Sequence, residues 1–368
     1  MPVWPDQHRE VRSLGVEREG EPYVWGYGEG PAPEGQVRVD LLYTGLSAGT
    51  ELTFLKGSNP YLHSRWDAEA GVFVPGEPTA RFPVAFLGYM EVGRVVDAKA
   101  PGYRRDDVVA GRWGHKTGHT GDPSQDLLVR LPQGMDPLLG IFVAQMGPIA
   151  ANGILHADAL EFGGAVPRLG AGLAGRPVLV WGGGTVGLMA ALFARQGGAS
   201  EVAVAEPSAF RRAVAERMGL LALDEEGAWR HAKSWRGDGG RGAALVVQTR
   251  PRSESLHLAL RALRPQGAVI DLAFYQGGAD RLRLGEEFHH NGLSIHCAQI
   301  NRVPRPLAPT WDQRRLALAT LDLLAAEGAA VRQMVTHVVP FDDAPAFLRD
   351  LVRHRPDFLQ IAFKQETW

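Results

Sequence analysis

At 368 residues the chain is long enough for two domains of ordinary size, each with its own core. Hydrophobic residues at 45% and charged residues at 22% are the balance of a globular protein and exclude a disordered or fibrous one. Lys and Arg (39) nearly cancel Asp and Glu (41) without a long basic run, which argues against nucleic acid as a partner and for a small molecule. The opening MPVWPDQHREVRSLG lacks the apolar centre of a signal peptide, and no stretch of about 18 uninterrupted apolar residues occurs, so a cytoplasmic protein without a membrane partner is expected. Self-association as a homodimer or homotetramer is left open. The single cysteine, Cys297, excludes an internal disulfide and a four-cysteine structural zinc.

From Gln36 to about Leu131, short runs such as VRVDLLYTG, GRVVDA and DDVVAG lie between glycine and proline turns, the pattern of an all-β module. Within it, GLSAGTE (45–51) leads into the apolar run ELTFLKG. Thr50 is read as the cap of that short helix, while a relay of protons through Thr50 or Glu51 remains open. The segment Ser58 to Arg81 is long for a turn and is read as a lid. PVAFLGYMEVG (83–93) turns at Gly88 and sets Tyr89 before a second glycine. His115 and His119 have H-x3-H spacing, but Gly114 and Gly118 make that stretch a loop, where the spacing carries little meaning and a solvated or structural pair is favoured. After Pro137 the texture becomes helical, with Gly147-Pro148 starting or kinking a helix, and a domain junction is placed near residue 150.

Beyond Arg176, apolar strands alternate with amphipathic helices, which builds a parallel sheet covered on both faces. Val178 to Trp181 reads as a buried strand, followed directly by Gly182-Gly183-Gly184-Thr185-Val186-Gly187 opening a helix. This is G-x-G-x-x-G in the context it requires: Gly182 for the tight turn, Gly184 for backbone approach to a pyrophosphate, Gly187 for close packing, and the helix start at Thr185 and Val186 facing the phosphates. The next strand ends in Glu206, nineteen residues beyond Gly187, where a carboxylate accepts from an adenosine ribose and repels a 2′-phosphate; NAD is expected over NADP, although Arg211 and Arg212 could hold that phosphate or stack on adenine. His289 and His290 are read in an extended chain, where at most one, assigned as His290, reaches a substrate. WDQRRLALATLDLLAAEG offers Leu316, Leu318, Leu321, Leu323 and Leu324 for burial, and the tail adds strand, helix and strand.

GLSAGTE, GYMEVGRVV (88–96), MGPIAANGILHA (146–157), WGGGTVG (181–187) and VTHVVPFDDA (335–344) together resemble the medium-chain dehydrogenase/reductase family, of the zinc alcohol dehydrogenase type. The resemblance covers nearly the whole chain. It implies an α/β fold: a Rossmann doubly wound parallel sheet domain at 151–302, a β-rich GroES-like catalytic domain at 1–150, and a return of 303–368 to the catalytic domain. Where zinc members carry a cysteine, a histidine and a cysteine or acid, this chain has Ser47, Tyr89 and Gly147, so neither a catalytic nor a structural zinc is expected. Gly-Thr-Glu at 49–51 and the tyrosine after Gly88 are similar to zinc-less branches, including the bacteriochlorophyllide hydroxyethyl dehydrogenase branch.

Zinc in such enzymes polarises a carbonyl and stabilises an alkoxide; without it an acid must deliver a proton, and Tyr89 is the candidate, against a plain packing role. The expected function is a zinc-independent, NAD(H)-linked oxidoreductase acting on an alcohol/carbonyl pair or an activated double bond of a bulky apolar substrate. Tryptophans such as Trp66 and Trp113 motivate the last phrase. A non-catalytic nucleotide-binding protein, or a metal site relocated to His115, His119 and His290, are the competing readings.

Overall fold

A computed structural model describes residues 8–237 and 239–365. Two compact units share them, one of residues up to Gln145 together with those from Val335 onward, the other Met146–Met334. The first begins with a hairpin of β1 (Arg9–Arg18) and β2 (Glu21–Glu29). β3 (Val37–Gly45) follows, burying Val37, Val39 and Leu41 at the two-residue period of a strand with one face in a core. A single short helix, α1 (Glu51–Leu55), comes next, and then a second hairpin, β4 (Ser64–Asp67) and β5 (Val72–Pro75), which accounts for the long insertion. Its rings Tyr61, Trp66 and Phe73 remain exposed. β6 (Glu91–Ala98), β7 (Val108–Gly111), β8 (Gly118–Gly121) and β9 (Val129–Arg130) complete the first pass. Antiparallel pairing of β3 with β6 sets Thr44 opposite Glu91, a register on which the site depends.

In the second unit α2 (Met146–Phe162) leads to β10 (Pro177–Trp181), α3 (Thr185–Gly197), β11 (Glu201–Ala205), α4 (Ala209–Arg217), β12 (Leu221–Leu223) and α5 (Glu225–Ala232). After the small ribbon of β13 (Arg236–Gly237) and β14 (Gly240–Arg241) come β15 (Ala243–Gln248), α6 (Ser253–Ala262), β16 (Leu263–Asp271), β17 (Ser294–Cys297) and α7 (Gln313–Arg332). The sheet is wholly parallel in the order β12-β11-β10-β15-β16-β17, two mononucleotide-binding halves reversing direction between β10 and β15. Ligands of such sheets bind beyond the strands' carboxyl ends at that reversal. No helix of the described residues is long and apolar enough to cross a membrane.

The chain then re-enters the first unit through β18 (Val335–Pro340), α8 (Ala344–His354) and β19 (Gln360–Lys364), giving the sheet order β18-β19-β3-β6-β7-β9, with β8 also on β3. Phe341, Leu348, Leu351, Ile361 and Phe363 join Leu14, Leu41, Leu46 and Leu52 in its core. This division differs from the sequence expectation, in which the return began at 303. Residues 303–334 stay with the parallel sheet because α7 packs on α2 and α3 and pairs Glu327 with Arg195 at 2.7 Å. Leu318 also departs from expectation: it is exposed on α7, whereas Leu316, Leu321, Leu323 and Leu324 are buried.

The contact between α2 and α7 is close enough to dictate a residue. A Cβ added at Gly147 would lie 2.1 Å from Thr320 Cγ2, and Thr320 is fully buried. Gly147→Ala is expected to destabilise the protein by about 1–3 kcal/mol, the scale of core overpacking, with partial recovery in the double variant carrying Thr320→Ala. Urea unfolding of the single and double variants measures both.

Candidate active site

In the first unit, the turn at Gly88 and the start of α1 bring six polar side chains together. Gly88 has a φ of +95°, and an added Cβ would meet Glu91 Oε1, His115 N and His115 Nδ1, each at 2.8 Å; only glycine turns the chain here without displacing them. Beyond it, the Tyr89 hydroxyl is hydrogen-bonded to the Ser47 hydroxyl. The Ser47 N–H donates to Glu51 Oε1 (2.9 Å), and the Ser47 carbonyl accepts from the Glu51 N–H (2.8 Å), so residues 47–51 close on themselves. The other Glu51 oxygen meets His115 Nε2 at 2.5 Å. His115 Nδ1 in turn meets the Thr44 hydroxyl at 2.5 Å, and Thr44 donates to Glu91 Oε1 (3.1 Å), while Glu91 Oε2 accepts from the Trp113 N–H (2.8 Å).

Thr44, Ser47, Glu51, Glu91 and His115 are all buried. Two carboxyl groups and an imidazole removed from water are tolerable only because each is paired. Burial, and after it the Glu51 charge, push the Tyr89 phenol up to about 12, against the opposing hydrogen bonds of Ser47 and Thr50. Tyr89 is therefore a neutral hydroxyl at physiological pH. Burial raises the Glu91 carboxyl, with His115 acting the other way. For His115, burial pulls the imidazole down, but Glu51, through charge and hydrogen bond, and then Glu91 outweigh it, and the net movement is upward.

Several sequence expectations change here. The Thr50 side chain makes no capping bond, and its backbone is already helical; the Glu51 carboxylate takes the Ser47 N–H instead. His115 and His119 are no pair. His119 lies on β8, stacked on Trp113 with ring centroids 5.4 Å apart, and burial, with Lys116 next, lowers it to about 4. Trp113 is core, and Trp66 is an exposed hairpin residue. Sequence reasoning missed Thr44 and Glu91, and weighed His115 only as one of a histidine pair or of a relocated metal site. The signal was present in the form of acids, Glu51 and Glu91, set in apolar runs where a charge needs a buried partner.

The second unit carries the glycine-rich loop. Gly182 turns with a φ of +115°, and its N–H donates to the Ala205 carbonyl (2.8 Å). A Cβ at Gly187 would fall 1.8 Å from the Gly182 carbonyl oxygen, so the loop closes only on glycine. Gly184 precedes the first helical residue, Thr185, and Val186 follows in the first turn of α3. An added Cβ at Gly184 would find only the Arg211 guanidinium, 3.8 Å away, which leaves backbone room for a pyrophosphate. The buried Glu206 ends β11 as expected, and its two oxygens accept from the N–H groups of Gly183 (2.8 Å) and Ser208 (2.9 Å). These residues fit a dinucleotide.

His290 does not sit in an extended chain. Residues 284–290 form a helical stretch ahead of β17, His290 is exposed, and its Nδ1 lies 3.0 Å from the Glu286 carbonyl. Nothing among the described residues links it to a proton-transfer network. At the positions where zinc members carry ligands, the donors do not fit that ion: Ser47 and Tyr89 are neutral hydroxyls bonded to each other, and Thr320 fills the space a side chain at 147 would need.

No family model matches the sequence. A curated protein, D-guloside 3-dehydrogenase of Escherichia coli (strain K12), is 24% identical over 329 residues, covering 88% of this chain and 90% of its own. Among solved structures, an alcohol dehydrogenase from Thermotoga maritima superposes with a TM-score of 0.74 at 16% identity, covering 97% of this chain and 100% of that one. A protein described as a zinc-binding dehydrogenase, from Sinorhizobium meliloti 1021 and bound to NADP, gives 0.67 at 18% identity, covering 97% and 99%. The chain thus has the alcohol dehydrogenase-like fold, a parallel-sheet unit joined in sequence to a β-rich one.

The network's weight can be measured without any substrate. Thr44→Val keeps the shape but leaves His115 Nδ1 and Glu91 Oε1 without their partner, and is expected to cost about 1–3 kcal/mol in urea unfolding. Because His115 is raised in the fold, its contribution is complete below the ordinary imidazole range and is lost as pH rises through the raised midpoint.

Proposed function

We propose that the protein is an alcohol dehydrogenase-like oxidoreductase that interconverts a secondary alcohol and a carbonyl with NAD(H) and without zinc. The observation that carries this reading is the neutral Tyr89 hydroxyl, bonded to Ser47 at the position where zinc members place a metal-bound histidine. The likeness to a D-guloside 3-dehydrogenase turns the substrate class toward a ring hydroxyl of a glycoside. A glycoside also accommodates the bulky apolar group expected from the sequence, as its aglycone.

NAD(H), when bound, accepts or supplies the hydride. Gly182, Gly184 and Gly187 let the backbone approach its pyrophosphate, the first turn of α3 faces the phosphates, and Glu206, whose oxygens already accept from the Gly183 and Ser208 N–H groups, stands after β11 where an acid meets the adenosine ribose. In the reductive direction Tyr89 gives its hydroxyl proton to the oxygen that becomes the alcohol. Its high pKa keeps that proton in place throughout the physiological range. Ser47, bonded to the same oxygen, supports the phenolate left behind and fixes the direction of the O–H.

Tyr89→Phe is expected to lower kcat for reduction of a 3-keto glycoside by about 10²-fold or more with NADH affinity nearly unchanged, the scale of a lost general acid. Near-normal turnover would assign Tyr89 to packing. For the cofactor, Glu206→Ala should narrow the preference for NADH over NADPH by removing repulsion of a 2′-phosphate, as fluorescence titration of both nucleotides would show. Tighter binding of NADPH by the unmutated protein would contradict the NAD assignment.

A further inference from the structure

His115 reaches neither Ser47 nor Tyr89 directly in the contacts described above, yet both depend on the carboxylate it holds. Its hydrogen bonds fix where its protons are. With the Thr44 hydroxyl hydrogen given to Glu91, the Thr44 oxygen is left to accept from the imidazole Nδ1–H. Nδ1 is then a donor, and Nε2 meets the Glu51 carboxylate at 2.5 Å in a buried setting. With both nitrogens engaged in this way the ring is an imidazolium, and Glu51 a carboxylate whose second oxygen stays available to the Ser47 N–H.

We propose that His115 is the positioning residue of the Tyr89–Ser47 hydroxyl pair: as an imidazolium it anchors Glu51, and Glu51 fixes the Ser47 main chain from which the hydroxyl reaches Tyr89. The inference rests on the reading of Tyr89 as the proton donor only for its catalytic consequence. The groups facing His115 are Glu51 from α1, Thr44 from β3, Glu91 from β6 and the edge of Phe363 from β19, with Lys116 next in sequence. Burial opposes the charged ring, both acids favour it, and the net displacement is upward. When His115 loses its proton, Glu51 loses its anchor and the hydroxyl pair loses its fixed geometry. Tyr89 itself does not ionise until about 12, so a pH effect well below that value does not come from the phenol.

The test uses the full chain labelled with 15N in its 12 histidines and 13C at Cζ of its 7 tyrosines. Signals lost in His115→Gln and Tyr89→Phe identify the two groups; should His115→Gln fail to fold, Glu51→Gln identifies His115 by returning its midpoint toward the ordinary value of about 6.5. At pH 7 both His115 nitrogens should be protonated, and on raising the pH the Tyr89 Cζ signal should move in step with the His115 midpoint. His115→Gln, which can still donate to Glu51 but cannot titrate, should abolish that step. With a turned-over substrate, kcat for reduction should fall about tenfold per pH unit above the same midpoint, with KM for NADH constant, and the fall should be absent in His115→Gln. An unprotonated His115 nitrogen at pH 7, or a Tyr89 signal blind to the His115 titration, overturns the proposal. Coupled titration in a protein that turns over no carbonyl would instead uphold the positioning role and refute the catalytic reading of Tyr89.

Discussion

The Glu51 carboxylate is the interaction on which the β-rich unit's site depends. It is buried, it accepts the Ser47 N–H with one oxygen, and it meets His115 with the other. A buried carboxylate with one oxygen unpaired would cost more than the network returns, so the imidazole and the turn at Ser47 are linked by necessity. Thr44 and Glu91 extend the same logic to the facing strands, since the β3–β6 register delivers them opposite each other. The hydroxyl pair of Ser47 and Tyr89 sits at the end of this chain of obligations.

The loop after β10 obeys a steric constraint of comparable severity. The carbonyl of Gly182 leaves no space for a side chain at Gly187, and Glu206 reaches back to the Gly183 N–H. A loop held this tightly keeps its N–H groups and the helix start in one arrangement before any ligand arrives, which favours binding of a pyrophosphate by reducing what must be ordered. The glycines thus do more than permit a turn.

The parallel-sheet unit was legible in the sequence because its signals are local: a strand, three residues of loop and a helix lie side by side in the chain, and Glu206 follows at a fixed spacing. The polar network was not, because Thr44, Glu51, Glu91 and His115 come from four separate segments that only strand pairing and the turns at Gly88 and Gly114 bring together. Local spacing gave no help, since the H-x3-H of His115 and His119 lies in a glycine-bounded stretch and the two rings have separate surroundings. The boundary at 335 was hidden for a similar reason. The periodicity of α7 shows that it is a helix with a buried face, but which unit it covers is decided by its packing on α2 and α3. Thr50 illustrates the limit of propensity: a good capping residue stands where a cap belongs, yet its backbone is already helical and its side chain makes no capping bond.

The central claim is that hydride chemistry proceeds here with a phenol in place of a metal. The most direct measurement follows NADH consumption with a 3-keto glycoside while the zinc content of the same preparation, purified without chelator, is determined by elemental analysis. The account predicts turnover at a zinc content far below one ion per chain and unchanged by added chelator. Activity that rises in proportion to bound zinc, reaching its maximum at one ion per chain, would contradict it.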